Sequence, residues 1–203
     1  TARFANVAFS NGSLPAGCLA RLQKLQPISA PSDVKRYFVS PEESGQICML
    51  SCMLGNNREI FFPKLEEEQM MTFDVIATEL IKAHGYEVLH CESDEEAIDK
   101  AVELRKGSNQ YPVHYSGSNT SGEKSFEEFF TDEETVDMDR LKSLGIVTGK
   151  DLVDLDKVNV LFEELDNAFK SEDVSKEEVV AIIARYLPNF EHIEKGKSLD
   201  SKM

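Results

Sequence analysis

The segment Ser10-Asn11-Gly12-Ser13-Leu14 has the residue types of an anion-binding turn. Its small side chains leave backbone amides open, Gly12 admits a positive φ, and a predicted helix begins just after it, where amides favour negative charge. The apolar-rich run from Phe4 to Phe9 feeds this loop and predicts a strand over residues 3–9. Open α/β sheets bind ligands where such strands end. The plainer reading is an ordinary turn. A second candidate lies in VKRYFVSPEES, where Lys35 and Arg36 lead a short strand. Neighbours on a strand face opposite sides, so the two cannot easily share one ligand. Arg36 is the better phosphate clamp, because a planar guanidinium binds two oxygens at once. The plainer reading there is a solvated charge pair. In TSGEKSFEEFF, Glu123 and Lys124 follow a glycine turn, and the plain reading is a capped turn with a surface ion pair.

Other chemistries find little support. No GxSxG nucleophile elbow is present. Cys18, Cys48, Cys52 and Cys91 form no CxxC pair, and the histidines are scattered, so a zinc site lacks its ligands. The cysteines read as buried free thiols of a reduced, cytoplasmic protein. Asp154-x-Asp156 with Glu163 and Glu164 lacks the glycine and ligand spacing of a calcium loop. No metal is expected. The formal charge of −15 argues against nucleic acid and against an anionic membrane surface, since both bind through Lys and Arg. No run approaches the ~20 apolar residues of a membrane span, and no signal peptide is visible. An anionic small ligand stays open, because a few local cations suffice for it.

The elements that must position these residues alternate. Helices are predicted over Pro15–Leu25, from the Ser40 cap and Pro41 to Gly55 as C′ residue, over Thr72–His84 closed by Gly85, and from Ser93 to Lys106. Between them lie an extended segment at 28–31 and strands at Lys35–Ser40, Glu59–Phe62, Tyr86–Cys91 and Tyr111–Tyr115. Residues 35–115 therefore read as α/β. Residues 116–125 form a Gly/Ser/Asn loop. Asp151–Lys170 and Ser175–Leu187 read as two acidic amphipathic helices, the second with Val179, Ile182, Ile183, Tyr186 and Leu187 on its apolar stripe. The tail after Phe190 is expected to fray. The chain thus divides into residues 1–65, 66–145 and 146–203.

Four motifs in order, RFANVAFSNGSL, KRYFVSPEESGQICML, EIFFPKL and SGEKSFEEFF, resemble the nucleotide-sugar branch of the extended short-chain dehydrogenase/reductase superfamily. The nearest likeness is to UDP-N-acetylglucosamine 4,6-dehydratases of the polysaccharide-biosynthesis type. It covers residues 3–65 well and 117–130 in part. The resemblance implies that Asn6 approaches the diphosphate of the sugar nucleotide and that Ser10, Asn11, Gly12, Ser13 and Leu14 wrap the nucleotide. It places Arg36 at the phosphate end, Phe4 and Ala5 near the nicotinamide, and Glu123 and Lys124 along the sugar-nucleotide site. The family reaction oxidises the sugar at C4, eliminates water across C5–C6 and returns the hydride to C6, with NAD or NADP as cofactor.

The departures are specific. Thr120-Ser121 stands where relatives commonly carry Arg-Pro, so one phosphate cation is missing there. Residues 66–115 and those after 145 match no motif. The sequence has no GxxGxxG fingerprint and no Tyr-x-x-x-Lys pair; Tyr37 and Tyr111 lack a lysine four residues on. The expectation is therefore the C-terminal, substrate-binding part of a Rossmann-type α/β fold plus a helical pair. No catalytic residue would lie within it: these are expected upstream of Thr1, along with most of the cofactor site. Such a chain would be inactive alone, and its parent a lyase that forms a homo-oligomer and binds a UDP-sugar. The alternatives are part of a nucleotide-sugar epimerase, or a non-catalytic binding or assembly module.

Overall fold

Local chemistry starts the helices. The Ser13 hydroxyl accepts the Ala16 amide and opens α1 (Leu14–Lys24), with Pro15 in the first turn. Ser40 opens α2 (Pro41–Leu54) with a full capping box: the Glu43 amide donates to Ser40 Oγ (3.1 Å) and the Ser40 amide to the Glu43 carboxylate (2.6 Å). Helix α3 (Phe73–Ala83) ends before Gly85, which turns the chain at φ 84°. Ser93 caps α4 (Asp94–Leu104) through the amide of Glu96. The computed structural model describes residues 1–118, 127–149, 154–171, 173–187, 190 and 192. The chain falls into two compact units; the described residues of the first are 1–118 and 127–149.

The first unit is mixed α/β, with four small sheets. Strands β2 (Ile28–Pro31), β8 (Gln110–Ser116) and β7 (Glu87–His90) form a parallel sheet with β8 in the middle. Parallel strands need crossover helices, and these cover the sheet. Cys18 and Leu22 of α1, Ala77 and Ile81 of α3, and Ala101 and Leu104 of α4 pack with Ile28, Tyr111 and Val113. An antiparallel sheet joins β5 (Ile60–Pro63), β10 (Leu144–Thr148) and β9 (Thr135–Asp137), with Phe62 opposite Gly145. Its core is Phe61, Leu144 and Ile146 under Ile47 of α2. Two small pairs complete the unit. Strand β1 (Asn6–Val7) runs parallel to β4 (Phe38–Val39), and β3 (Lys35–Arg36) runs antiparallel to β6 (Met71–Thr72).

Several expectations are corrected. The strand predicted over 3–9 is regular only at Asn6–Val7, because Phe9 takes φ 58° and starts the turn. The predicted strand Lys35–Ser40 splits around the buried Tyr37 into β3 and β4, which pair with different partners. Gly55 is not left-handed but extended (φ −79°). Glycine is required there by space, since a Cβ would stand 2.4 Å from the Ser51 carbonyl oxygen. Of the four thiols expected to be buried, Cys18 and Cys91 are, whereas Cys48 and Cys52 are exposed. Helix α2 turns only Ile47 and Ser51 inward, leaving Met49, Leu50, Met53 and Leu54 outside as well. Burial pushes the Cys18 thiol up to about 11, so it behaves as a packing group.

One ion pair ties the second core together. The Arg140 guanidinium grips Glu59 through two bonds (2.7 and 2.9 Å), donates to the Leu54 carbonyl at the end of α2 (2.7 Å) and lies over the Phe61 ring (5.6 Å). Arg140 holds the Glu59 carboxyl at about 2, against an ordinary 4.5, helped by the Asn56 amide. A folded-state pKa below the unfolded one contributes stability that is present above about 4.5 and lost as pH falls through about 2. Glu59→Gln is expected to lower the melting temperature at neutral pH, with the gap from wild type closing across that window. A gap unchanged from pH 6 to pH 2 in thermal melts would exclude this linkage.

The second unit contains a helical hairpin, α5 (Leu155–Phe169) and α6 (Lys176–Tyr186). Ala168 and Ile182 are buried, and Glu164 accepts from both Arg185 and the Tyr186 hydroxyl. Asp154 caps α5 through the amides of Asp156 and Lys157. Of the acids compared with a calcium loop, Asp154 thus serves a cap and Glu164 an ion pair. Of the predicted α6 stripe, Leu187 stays exposed. Among the described residues no helix is long and apolar enough to cross a membrane.

Candidate functional site

The site is built where β1 meets β4. Parallel pairing sets Asn6 opposite Phe38, with the Asn6 amide donating to the Tyr37 carbonyl (3.1 Å) and the Ala8 amide to Val39 (2.8 Å). This fixes the Asn6 backbone and leaves its carboxamide at the surface, where Nδ2 donates to the Tyr37 carbonyl (3.4 Å) and to Oε2 of Glu127 (2.9 Å). Arg36 precedes Tyr37 on β3. Its backbone is set by the pairing with Met71, and its Nη1 donates to the Lys35 carbonyl (2.8 Å). Lys35 is exposed and Arg36 half-buried, as strand alternation requires. The charge of Arg36 acts on the same Glu127 carboxylate that Asn6 binds. Asn6, Arg36 and Glu127 therefore converge.

Aromatic packing explains why Glu127 lies there. Two residues on, the Phe129 ring stacks on Tyr37 (5.4 Å) and on Phe62 (6.1 Å), beside the cluster of Ala5, Tyr37 and Val39. Arg3 then clamps the segment, donating to the Phe129 carbonyl (2.9 Å) and to both oxygens of Glu134 (2.7 and 2.8 Å). Burial raises the Glu127 carboxyl above its ordinary range, opposed by Arg36 and by a bond to the Tyr37 backbone. Burial also raises the Tyr37 phenol, with Glu67, Glu66 and Glu127 adding to it. The charges named here as acting on Tyr37 and Glu127 are thus acidic apart from Arg36.

The loop Ser10–Leu14 continues from the end of β1. The Ser10 amide closes on the Val7 carbonyl (3.3 Å) and the Ser13 amide on that of Ser10 (2.9 Å), while Gly12 takes φ 78°. The Ser13 hydroxyl is committed to capping α1; Ser10, Asn11 and Gly12 are exposed, and Leu14 packs against the α1 core. Phe4 is exposed, but Ala5 is 3% exposed, so only its backbone could meet a ligand. Glu123 and Lys124 lie outside the described residues. Sequence reasoning missed Glu127 and the clamp from Arg3 to Glu134. Within SFEEFF no local signal singles out Glu127; the packing of Phe129 on Tyr37 and Phe62 brings it to Asn6. Among the described residues no three His, Cys, Asp or Glu side chains are placed to hold a metal ion. The arrangement offers a cation, an amide donor and an exposed turn, which suits binding an anion.

A family model described as polysaccharide biosynthesis protein matches residues 1–148. The chain belongs to that family. The match ends with β10 at Thr148, so the polysaccharide-biosynthesis part is the α/β unit and the helical hairpin lies beyond it. A search of curated proteins finds no match. Among solved structures, Pen from Bacillus thuringiensis is similar, with a TM-score of 0.53 and 15% identity over 80% of this chain and 48% of that one. At that identity the likeness speaks for the fold alone. The chain spans about half the length of that structure, 48%.

Proposed function

We propose that this polysaccharide-biosynthesis chain is the nucleotide-sugar-binding part of a UDP-N-acetylglucosamine 4,6-dehydratase, built on the C-terminal portion of an extended short-chain dehydrogenase fold. The observation that carries the reading is the convergence of Asn6 and Arg36 on one anionic group, the Glu127 carboxylate. A diphosphate needs the same partners, a guanidinium and amide donors. In this reading the exposed turn at Ser10–Gly12 faces the nucleotide, and Glu123 and Lys124 line the sugar side.

GxxGxxG is absent, and of the two positions likened to the nicotinamide site the Ala5 side chain is in the core while Phe4 is exposed. NAD or NADP would accordingly be held by sequence not among these 203 residues, as would the groups that transform the sugar. The chain contributes binding and orientation, and a homo-oligomeric parent supplies the chemistry.

The test is UDP binding to the intact protein by calorimetry. Arg36→Ala is expected to weaken it about 10- to 100-fold, the scale of hydrogen bonds to a charged group. Unchanged affinity would sink the assignment.

A further inference from the structure

We propose that Glu127 is an intramolecular competitor for the phosphate position, a carboxylate that accepts from Asn6, feels the charge of Arg36 and must be displaced by an incoming diphosphate. This inference rests on the reading of Asn6 and Arg36 as phosphate-binding groups. The Asn6 Nδ2 donor that would meet a phosphate oxygen already donates to Glu127 at 2.9 Å. Arg36, the cation of the same reading, already attracts that carboxylate. A carboxylate and a phosphate accept from the same donors and repel each other, so both cannot be seated at full strength.

The surroundings favour exchange. Among the described residues the charged or titratable groups named around Glu127 are Arg36 and Tyr37, with Glu66 and Glu67 acting on the Tyr37 phenol alongside Glu127. Only one of these is a cation. Burial already disfavours the ionised Glu127, so its hold on the site is weaker than that of a solvated acid. Its backbone need not move to release it. Phe129 stays stacked on Tyr37 and Phe62, and Arg3 keeps its grip on Phe129 and Glu134 while the Glu127 side chain swings out. The consequence is selectivity. A neutral or weakly charged ligand cannot evict the carboxylate, whereas a diphosphate can.

The experiment uses inorganic pyrophosphate as probe, titrated into the intact protein by calorimetry, with UDP measured in parallel. Glu127→Gln keeps the shape and removes the charge. It is expected to bind pyrophosphate about tenfold more tightly than wild type, a factor of ten being about 1.4 kcal/mol. Adding Arg36→Ala to that variant should abolish the gain. Glu127→Ala should move affinity in the same direction and keeps the test open if the Gln variant does not fold. Equal or weaker pyrophosphate binding by these variants, or none by any form, overturns the competitor. If UDP binds wild type and both variants alike, the competitor falls while the uridine-nucleotide reading stands. If pyrophosphate tightens and UDP does not bind, the competitor stands and that reading falls.

Discussion

Replacing Tyr111 by Ala is expected to cost about 3–5 kcal/mol, the range for deleting a fully buried aromatic ring. Tyr111 lies on the central strand of the parallel sheet and is wholly buried. Its ring meets Tyr86 edge to face (5.3 Å) and packs among Leu22, Ile81, Leu104 and Val113. Every helix that covers this sheet contributes to that cluster, so no single element can collapse into the space left behind. The hydroxyl has a separate role: it donates to the Gln26 carbonyl, joining β8 to the bend between α1 and β2. Burial drives the phenol pKa up, so it remains a donor throughout the ordinary pH range. Tyr111→Phe retains the ring and leaves that carbonyl unpaired, at about 1–3 kcal/mol. Urea denaturation should therefore rank wild type, Phe and Ala in that order. A Phe variant as damaged as the Ala variant would show that the hydrogen bond, not the packing, dominates.

The helices were legible because their signals are local. Ser40 and Ser93 each cap the helix predicted from them, Pro15 stands in the first turn of α1, and Gly85 closes α3, all within a few residues of the boundary concerned. Strand pairing is a property of distant chain. Nothing within Lys35–Ser40 indicates that Arg36 pairs with Met71 while Phe38 pairs with Asn6, and β9 and β10 carried no signal strong enough to be placed. The exposure of Cys48 and Cys52 was missed for a related reason. Helix α2 is apolar around most of its circumference, so composition alone cannot say which side is covered.

The site divides along the same line. Arg36 could be picked out by the chemistry of its guanidinium, and Asn6 by the likeness of its motif to nucleotide-sugar enzymes. Glu127 could not, since its contact with Asn6 spans 121 positions and depends on Phe129 finding Tyr37 and Phe62. Through Phe62, which pairs with Gly145, that dependence reaches β10, a strand that sequence reading left unassigned.

Gly145 is where the link can be tested. It lies on β10 directly opposite Phe62, and a Cβ there would stand 2.2 and 2.6 Å from atoms of the Phe62 ring and 2.9 Å from Met138 Sδ. The obstacle is space, since the backbone is ordinary strand. Phe62 cannot retreat freely, being buried against Phe129 (6.1 Å) and Phe130 (5.1 Å). Gly145→Ala is expected to destabilise by about 1–3 kcal/mol through overpacking, and Gly145→Val by more. Gly45 provides the contrast: it lies in α2 with nothing within 4 Å of its Cβ position, so Gly45→Ala should be neutral or stabilising by up to about 1 kcal/mol. The two alanine variants differ only in what the added methyl meets. If Phe62 yields, Phe129 must follow, and with it the segment that delivers Glu127 to Asn6. Gly145→Ala should therefore shift the side-chain amide resonance of Asn6, which Gly45→Ala should leave in place. Equal stability of the two variants in urea would show that Phe62 does not occupy the space above Gly145. A large loss with an unmoved Asn6 signal would show that the aromatic stack does not position the site.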